Sequence, residues 1–108
     1  MRIEITEATW LDESVEFSLT ELAELSGLPA ELLRQLVEYG ALAPSDPSAA
    51  VPTFKAHCLF DARTAHRLRE DFDLEAPGLA LALALLERVR ELESRLKAVE
   101  CLLPGPGR

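Results

Sequence analysis

His57 and Cys58 are adjacent, His66 follows on the same stretch, and Cys101 lies near the C-terminal end. These side chains could ligate a transition metal or act in nucleophilic chemistry. A structural zinc site takes four ligands, usually in closely spaced pairs, and no second pair accompanies His57-Cys58. The two cysteines stand 43 positions apart with no partner motif, so neither a disulfide framework nor a thiolate metal site is indicated. There is no Gly-rich phosphate loop and no nucleophile elbow. The many carboxylates fall on the outer faces of amphipathic segments and do not converge. No catalytic constellation is present, so the expected protein is not an enzyme and has no cofactor and no metal site.

The chemistry that remains is charge recognition. Residues 1–53 carry Arg2 and Arg34 against ten acidic side chains, net −8, while residues 54–108 carry nine charges of each sign. All of the formal charge of −8 therefore resides in the N-terminal half. Such a surface repels phosphate backbones and attracts basic ones. The candidate partner-binding residues are Glu21, Glu24, Glu31, Arg34 and Glu38. Ordinary solvated helix charge is the competing explanation for all five.

Two short helices must position them. Ser18-x-x-Glu21 is a capping box, and Leu19, Leu22, Ala23 and Leu25 continue a helix that stops at Gly27. Pro29 starts a second helix with Leu32, Leu33, Leu36 and Val37 as its apolar stripe, and Gly40 ends it. Two helices joined by a Gly-containing turn make a helix-turn-helix. With the leucines facing a core, the five charged residues face out, and Glu21 is partly engaged by its cap.

The remaining segments read more weakly. Ile3 and Ile5, then Val15 and Phe17, alternate with polar residues around Asp12-Glu13-Ser14, which suggests a small hairpin or an extended arm. Trp10 is expected to anchor the core, with a partner-facing hot spot as the alternative. Residues 43–52 form a loop rich in Pro, Ser and Ala, and Cys58-Leu59-Phe60 is a candidate return strand of a wing. Asp61 is placed to N-cap a third helix from Ala62 to about Phe72, with Ala62, Ala65, Leu68 and Phe72 on its apolar side.

Pro77 opens the longest element, an Ala- and Leu-rich helix that runs to about Cys101 or Leu103 and would be roughly 40 Å long. Leu79 to Leu86 is apolar all round and is expected to be buried on every side. Leu85, Val89, Leu92, Leu96, Val99 and Leu103 then follow at spacings of 4, 3, 4, 3 and 4, a coiled-coil seam. A helix of that length overhangs a globule of this size, whose radius of gyration would be about 13 Å. The expected role of Leu85, Val89, Leu92, Leu96 and Val99 is a homodimer interface; folding back onto the N-terminal domain is the alternative. The expected organisation is a domain with an N-terminal arm over 1–75, a dimerisation helix over 76–103 and a disordered tail over 104–108. No membrane span and no signal-peptide core is seen, and a reducing cytoplasm is the expected location.

The order helix-turn-helix, wing-like loop, third helix, long helix resembles the MerR-type winged-helix architecture. LTELAELSGLPAELLRQLVEYGALAP looks like that family's N-terminal signature, including Gly40, Leu42 and Pro44. The aromatic, arginine-bearing wing is replaced by VPTFKAHCLFD, where Lys55 is the only basic residue besides His57. A closer resemblance is to the CbpM family of chaperone modulators, small acidic proteins with a degenerate MerR-like fold. It rests on the helix-turn-helix, on Phe60-Asp61, and on LREDFDLEAPGLALALALLERVRELESRL, and covers about Ser18 to Val99.

The resemblance implies a mainly α fold, a MerR-like winged helix-turn-helix domain followed by a long coiled-coil helix. It implies binding to the J-domain of a DnaJ-like co-chaperone of the CbpA type, with inhibition of its stimulation of DnaK and of its DNA binding. The alternative is a MerR-like transcriptional regulator that binds DNA. Against it, Ser18 to Pro44 has Arg34 alone against Glu21, Glu24, Glu31 and Glu38, so specific nucleic-acid binding is not expected.

Overall fold

A computed structural model describes residues 15–102 of the chain. Its elements run β1 (Glu16–Ser18), α1 (Leu19–Ser26), α2 (Ala30–Glu38), β2 (Thr53–Lys55), α3 (Ala56–Phe72) and α4 (Ala76–Leu102). The expected arm residues Ile3, Ile5 and Trp10, the turn at Asp12-Glu13-Ser14, Leu103 and the tail lie outside the described residues.

Ser18 starts α1 through a complete capping box. Its Oγ accepts the Glu21 N–H at 3.1 Å, and Glu21 Oε1 accepts the Ser18 N–H at 2.8 Å. Two N–H groups that the first turn would leave unpaired are thereby satisfied. Gly27 ends α1 with φ 84°, and a Cβ there would sit 3.2 Å from the His66 ring. Glycine is required both for the backbone conformation and for the approach of α3. Arg63 of α3 donates from Nε to the Leu25 carbonyl at 3.3 Å, bringing a cation to the C-terminal turn of α1. At the end of α2 the Gly40 N–H bonds the Val37 carbonyl and the Ala41 N–H bonds that of Leu36, a Schellman closure.

β1 and β2 pair antiparallel, with Phe17 opposite Phe54 and Ser18 opposite Thr53. Both phenylalanines are buried in one core with Leu22, Leu28, Leu33, Leu36, Leu42, Leu59, Leu79 and Leu83. The strand that completes the wing is therefore Thr53–Lys55, and Cys58-Leu59-Phe60 is helical, against expectation. The reason is burial. Cys58, Leu59, Ala62 and Ala65 are all buried at helical spacing, so packing overrides the β preference of the short run. α3 consequently begins at Ala56, with Lys55 at the N-cap and no side-chain cap, and Asp61 sits inside the helix instead of capping it. Phe72 lies at the last turn and is exposed, not part of the apolar stripe.

α4 packs on α2 and α3 through Ala76, Leu79 and Leu83. The expected all-round burial of Leu79 to Leu86 does not hold. Leu81 is 62% exposed, and Ala84 and Leu85 are exposed too, because the globule covers only one side of the helix. Beyond Leu86 every described residue of α4 is exposed. The overhang lengthens the molecule to 52 Å and raises the radius of gyration to 16.2 Å, above the ~13 Å of a compact chain of this size.

Candidate functional site

The second helix of the helix-turn-helix carries the charged face. At 3.6 residues per turn, Glu31, Arg34, Gln35 and Glu38 form one stripe opposite the buried Leu33 and Leu36, and all four are exposed. Arg34 donates to Glu31 Oε2 at 3.2 Å. The only basic side chain of this element pair is thus already held by an acid. The exposed pair adds little stability, but it removes the free cation a phosphate would need. On α1, Glu24 is exposed, and Glu21 is exposed yet engaged by Ser18. Glu24 and Glu38 have no ion-pair partner among the described residues. Of the five expected site residues, the structure brings Glu31, Arg34 and Glu38 onto one face and leaves Glu21 and Glu24 on the neighbouring helix.

A groove opens beside this stripe. Leu19, Val37, Pro52 and Phe54 line it, Arg34 and Glu38 form its edge, and its volume is about 300 Å³. The other flank of α2 borders a more polar cleft of about 400 Å³, where Pro29, Glu31 and Gln35 face Arg69, Asp73 and Glu75. The apolar groove could not be read from spacing, because its walls come from α1, α2 and β2.

A third cleft, of about 470 Å³, lies where α4 leaves the globule, between His57, Phe60 and Asp61 on α3 and Glu87 and Arg90 on α4. The Arg90 guanidinium sits 5.1 Å from the centre of the Phe60 ring and reaches Asp61 Oδ1 at 3.4 Å. Burial pushes the Asp61 carboxyl above its ordinary range, with Arg90 opposing. Beneath it, Cys58 Sγ bonds the Ala43 carbonyl at 3.5 Å and lies 3.6 Å from His57 Nε2. Burial pushes this thiol up, the opposite of what a nucleophilic cysteine needs. Among the described residues no group of three or more His, Cys, Asp or Glu side chains could hold a metal ion, and no helix is long and apolar enough to cross a membrane.

The seam residues Leu85, Val89, Leu92, Leu96 and Val99 are each between 47% and 59% exposed. They lie roughly opposite Leu79 and Leu83 around the helix, so they point away from the chain's own globule, and Leu81 extends the stripe. Arg88 and Arg95 both pair with Glu91 beside it, at 3.0 and 2.8 Å.

Residues 17–100 match the MerR HTH family of regulatory proteins. The chain is 33% identical over 85 residues to the chaperone modulatory protein CbpM of Escherichia coli, a stretch covering 77% of this chain and 84% of that protein. It is 29% identical over 100 residues to the CbpM of Coxiella burnetii, covering 93% and 94%. The chain belongs to the CbpM family. In this CbpM-family chain the matched region takes in the whole helix-turn-helix and nearly all of the β1–β2 wing and of α4. The acidic stripe, the groove beside it and the α4 seam therefore all fall inside the shared region.

Proposed function

We propose that this chain is a chaperone modulator that binds the J-domain of a DnaJ-like co-chaperone of the CbpA type, inhibiting both its stimulation of DnaK and its DNA binding. The observation that carries this reading is the α2 face. Where a DNA reader presents Lys and Arg, this chain presents Glu31, Gln35 and Glu38 with Arg34 tied to Glu31. J-domains present a basic helix to Hsp70, and the acidic half of this chain is complementary to such a helix. A modulator seated there excludes DnaK by competition. A homodimer through Leu85, Val89, Leu92, Leu96 and Val99 would place two such faces on one particle, and the MerR resemblance favours antiparallel helices.

Rim charges act mainly through association rate and salt dependence. Reversing Glu24, Glu31 and Glu38 to Lys is expected to weaken binding to a J-domain protein about tenfold and to flatten its salt dependence. The fold should survive, since all three side chains are exposed. Calorimetry at two salt concentrations, circular dichroism and DnaK ATPase stimulation measure these together. An unchanged affinity and salt slope in a folded triple variant would move the site off this face, to α3 around Arg63, Arg67 and Glu70 or to the segment holding Trp10.

A further inference from the structure

The charged face and the groove beside it have different physical characters. Glu31 and Glu38 are solvent-exposed and screenable, whereas the groove floor is made of Leu19, Val37, Pro52 and Phe54. Phe54 is fully buried, Leu19 and Val37 are half-buried and packed against the core, and Pro52 is half-buried at the mouth of β2. This floor is framed by three regular elements. Its walls are the capped start of α1, the C-terminal half of α2 and a strand fixed by pairing to β1. Tyr39 and Val51, adjacent in sequence to Glu38 and Pro52, are 57% and 73% exposed.

From this arrangement we infer that the groove receives one apolar side chain from a basic amphipathic helix of the partner, with the Lys and Arg side chains flanking that residue meeting Glu31 and Glu38. The inference rests on the proposed J-domain reading and assigns the part of the site that holds the partner, as distinct from the part that attracts it. Charge selects this occupant. The groove edge carries Arg34 and Glu38; Arg34 is neutralised by Glu31, and Glu38 lacks an ion-pair partner among the described residues, so Glu31, Arg34 and Glu38 together leave a net negative charge. The chain's own residues 1–14 are the nearest rival by connection, but they carry Glu4, Glu7, Asp12 and Glu13 against Arg2, the wrong sign for this rim. The cleft on the other flank of α2 already contains Arg69 opposite Glu31 and offers less apolar floor. A helix laid in a groove is anchored by such a side chain, and central apolar anchors dominate residence time while rim charges dominate encounter.

The test uses the full chain, an isolated J-domain of a DnaJ-type co-chaperone, and two groove variants, Val37→Gln and Pro52→Ser. Dissociation is followed at about 0.1 M and about 1 M salt, since rim charges are almost fully screened at the higher value. Each folded variant is expected to dissociate about tenfold faster than wild type at both salt concentrations, with association unchanged. The Glu-to-Lys triple variant would instead change association at low salt only. Wild-type dissociation rates in both folded groove variants would overturn the inference while leaving the J-domain reading intact. Absence of binding by the wild-type chain would overturn the reading itself, and the inference with it.

Discussion

Asp61 is a carboxylate held inside α3, largely buried and facing a cation from α4. Its helix begins at Ala56, so it is free of capping and instead meets Arg90, which also covers Phe60. This trio is the last side-chain contact between the globule and the overhanging part of α4 among the ion pairs and ring contacts described. Burial raises the Asp61 carboxyl despite Arg90, so the folded state holds that proton more tightly than the unfolded chain, whose Asp titrates near 3.9. The stabilisation from protonated Asp61 is therefore complete below that unfolded value and is lost as pH rises through the raised folded value. Asp61→Asn removes the step. Relative to wild type, its melting temperature is expected to gain on going from about pH 3 to about pH 7. A variant that loses ground over that interval would show that pairing with Arg90 outweighs burial.

At the scale of elements, α4 is divided by what covers it. Its N-terminal part spends Leu79 and Leu83 on the core, and the opposite stripe from Leu81 through Val99 is left exposed. Burying a leucine is worth about 1.5–3 kcal/mol, so five or six such positions in a knobs-into-holes seam suffice to hold two helices together. The wild-type chain is expected to be a dimer at high micromolar concentration, and Leu92→Glu with Leu96→Glu a folded monomer. Light scattering or sedimentation distinguishes the two. A wild-type monomer at that concentration would remove the dimer from the functional model and leave the seam as a single-copy surface.

At the scale of the whole molecule, a helix-turn-helix architecture is combined with a charge distribution that opposes its usual ligand. The fold positions α2 as an outward-facing helix, flanked by a two-stranded wing, yet the net −8 lies on residues 1–53. Duplex DNA binding depends on neutralising phosphates with Lys and Arg, and α2 offers Arg34 already bound to Glu31. At about 150 mM salt no sequence-specific duplex binding is expected. Tight, sequence-dependent gel shifts at that salt would restore the transcriptional-regulator alternative.

The sequence by itself determined whatever is written within a few positions of chain. Ser18 and Glu21 announced the first cap, Gly27 and Gly40 the ends of two helices, Pro77 the start of the long one, and the 4-3 leucine spacing its uncovered stripe. Charge placement was equally legible, because a formal charge needs no neighbour to exist. Only the tertiary structure decided what depends on a distant partner. Pairing with Glu16–Ser18 selected Thr53–Lys55 as the strand, and burial against the helix-turn-helix turned Cys58-Leu59-Phe60 into helix. The contact of Asp61 with Arg90 spans 29 residues, and the groove has walls from three elements. Leu81 and Leu83 are the same residue type two positions apart, one exposed and one buried. Composition cannot separate them, since burial is a property of which side of a helix a neighbouring element happens to cover.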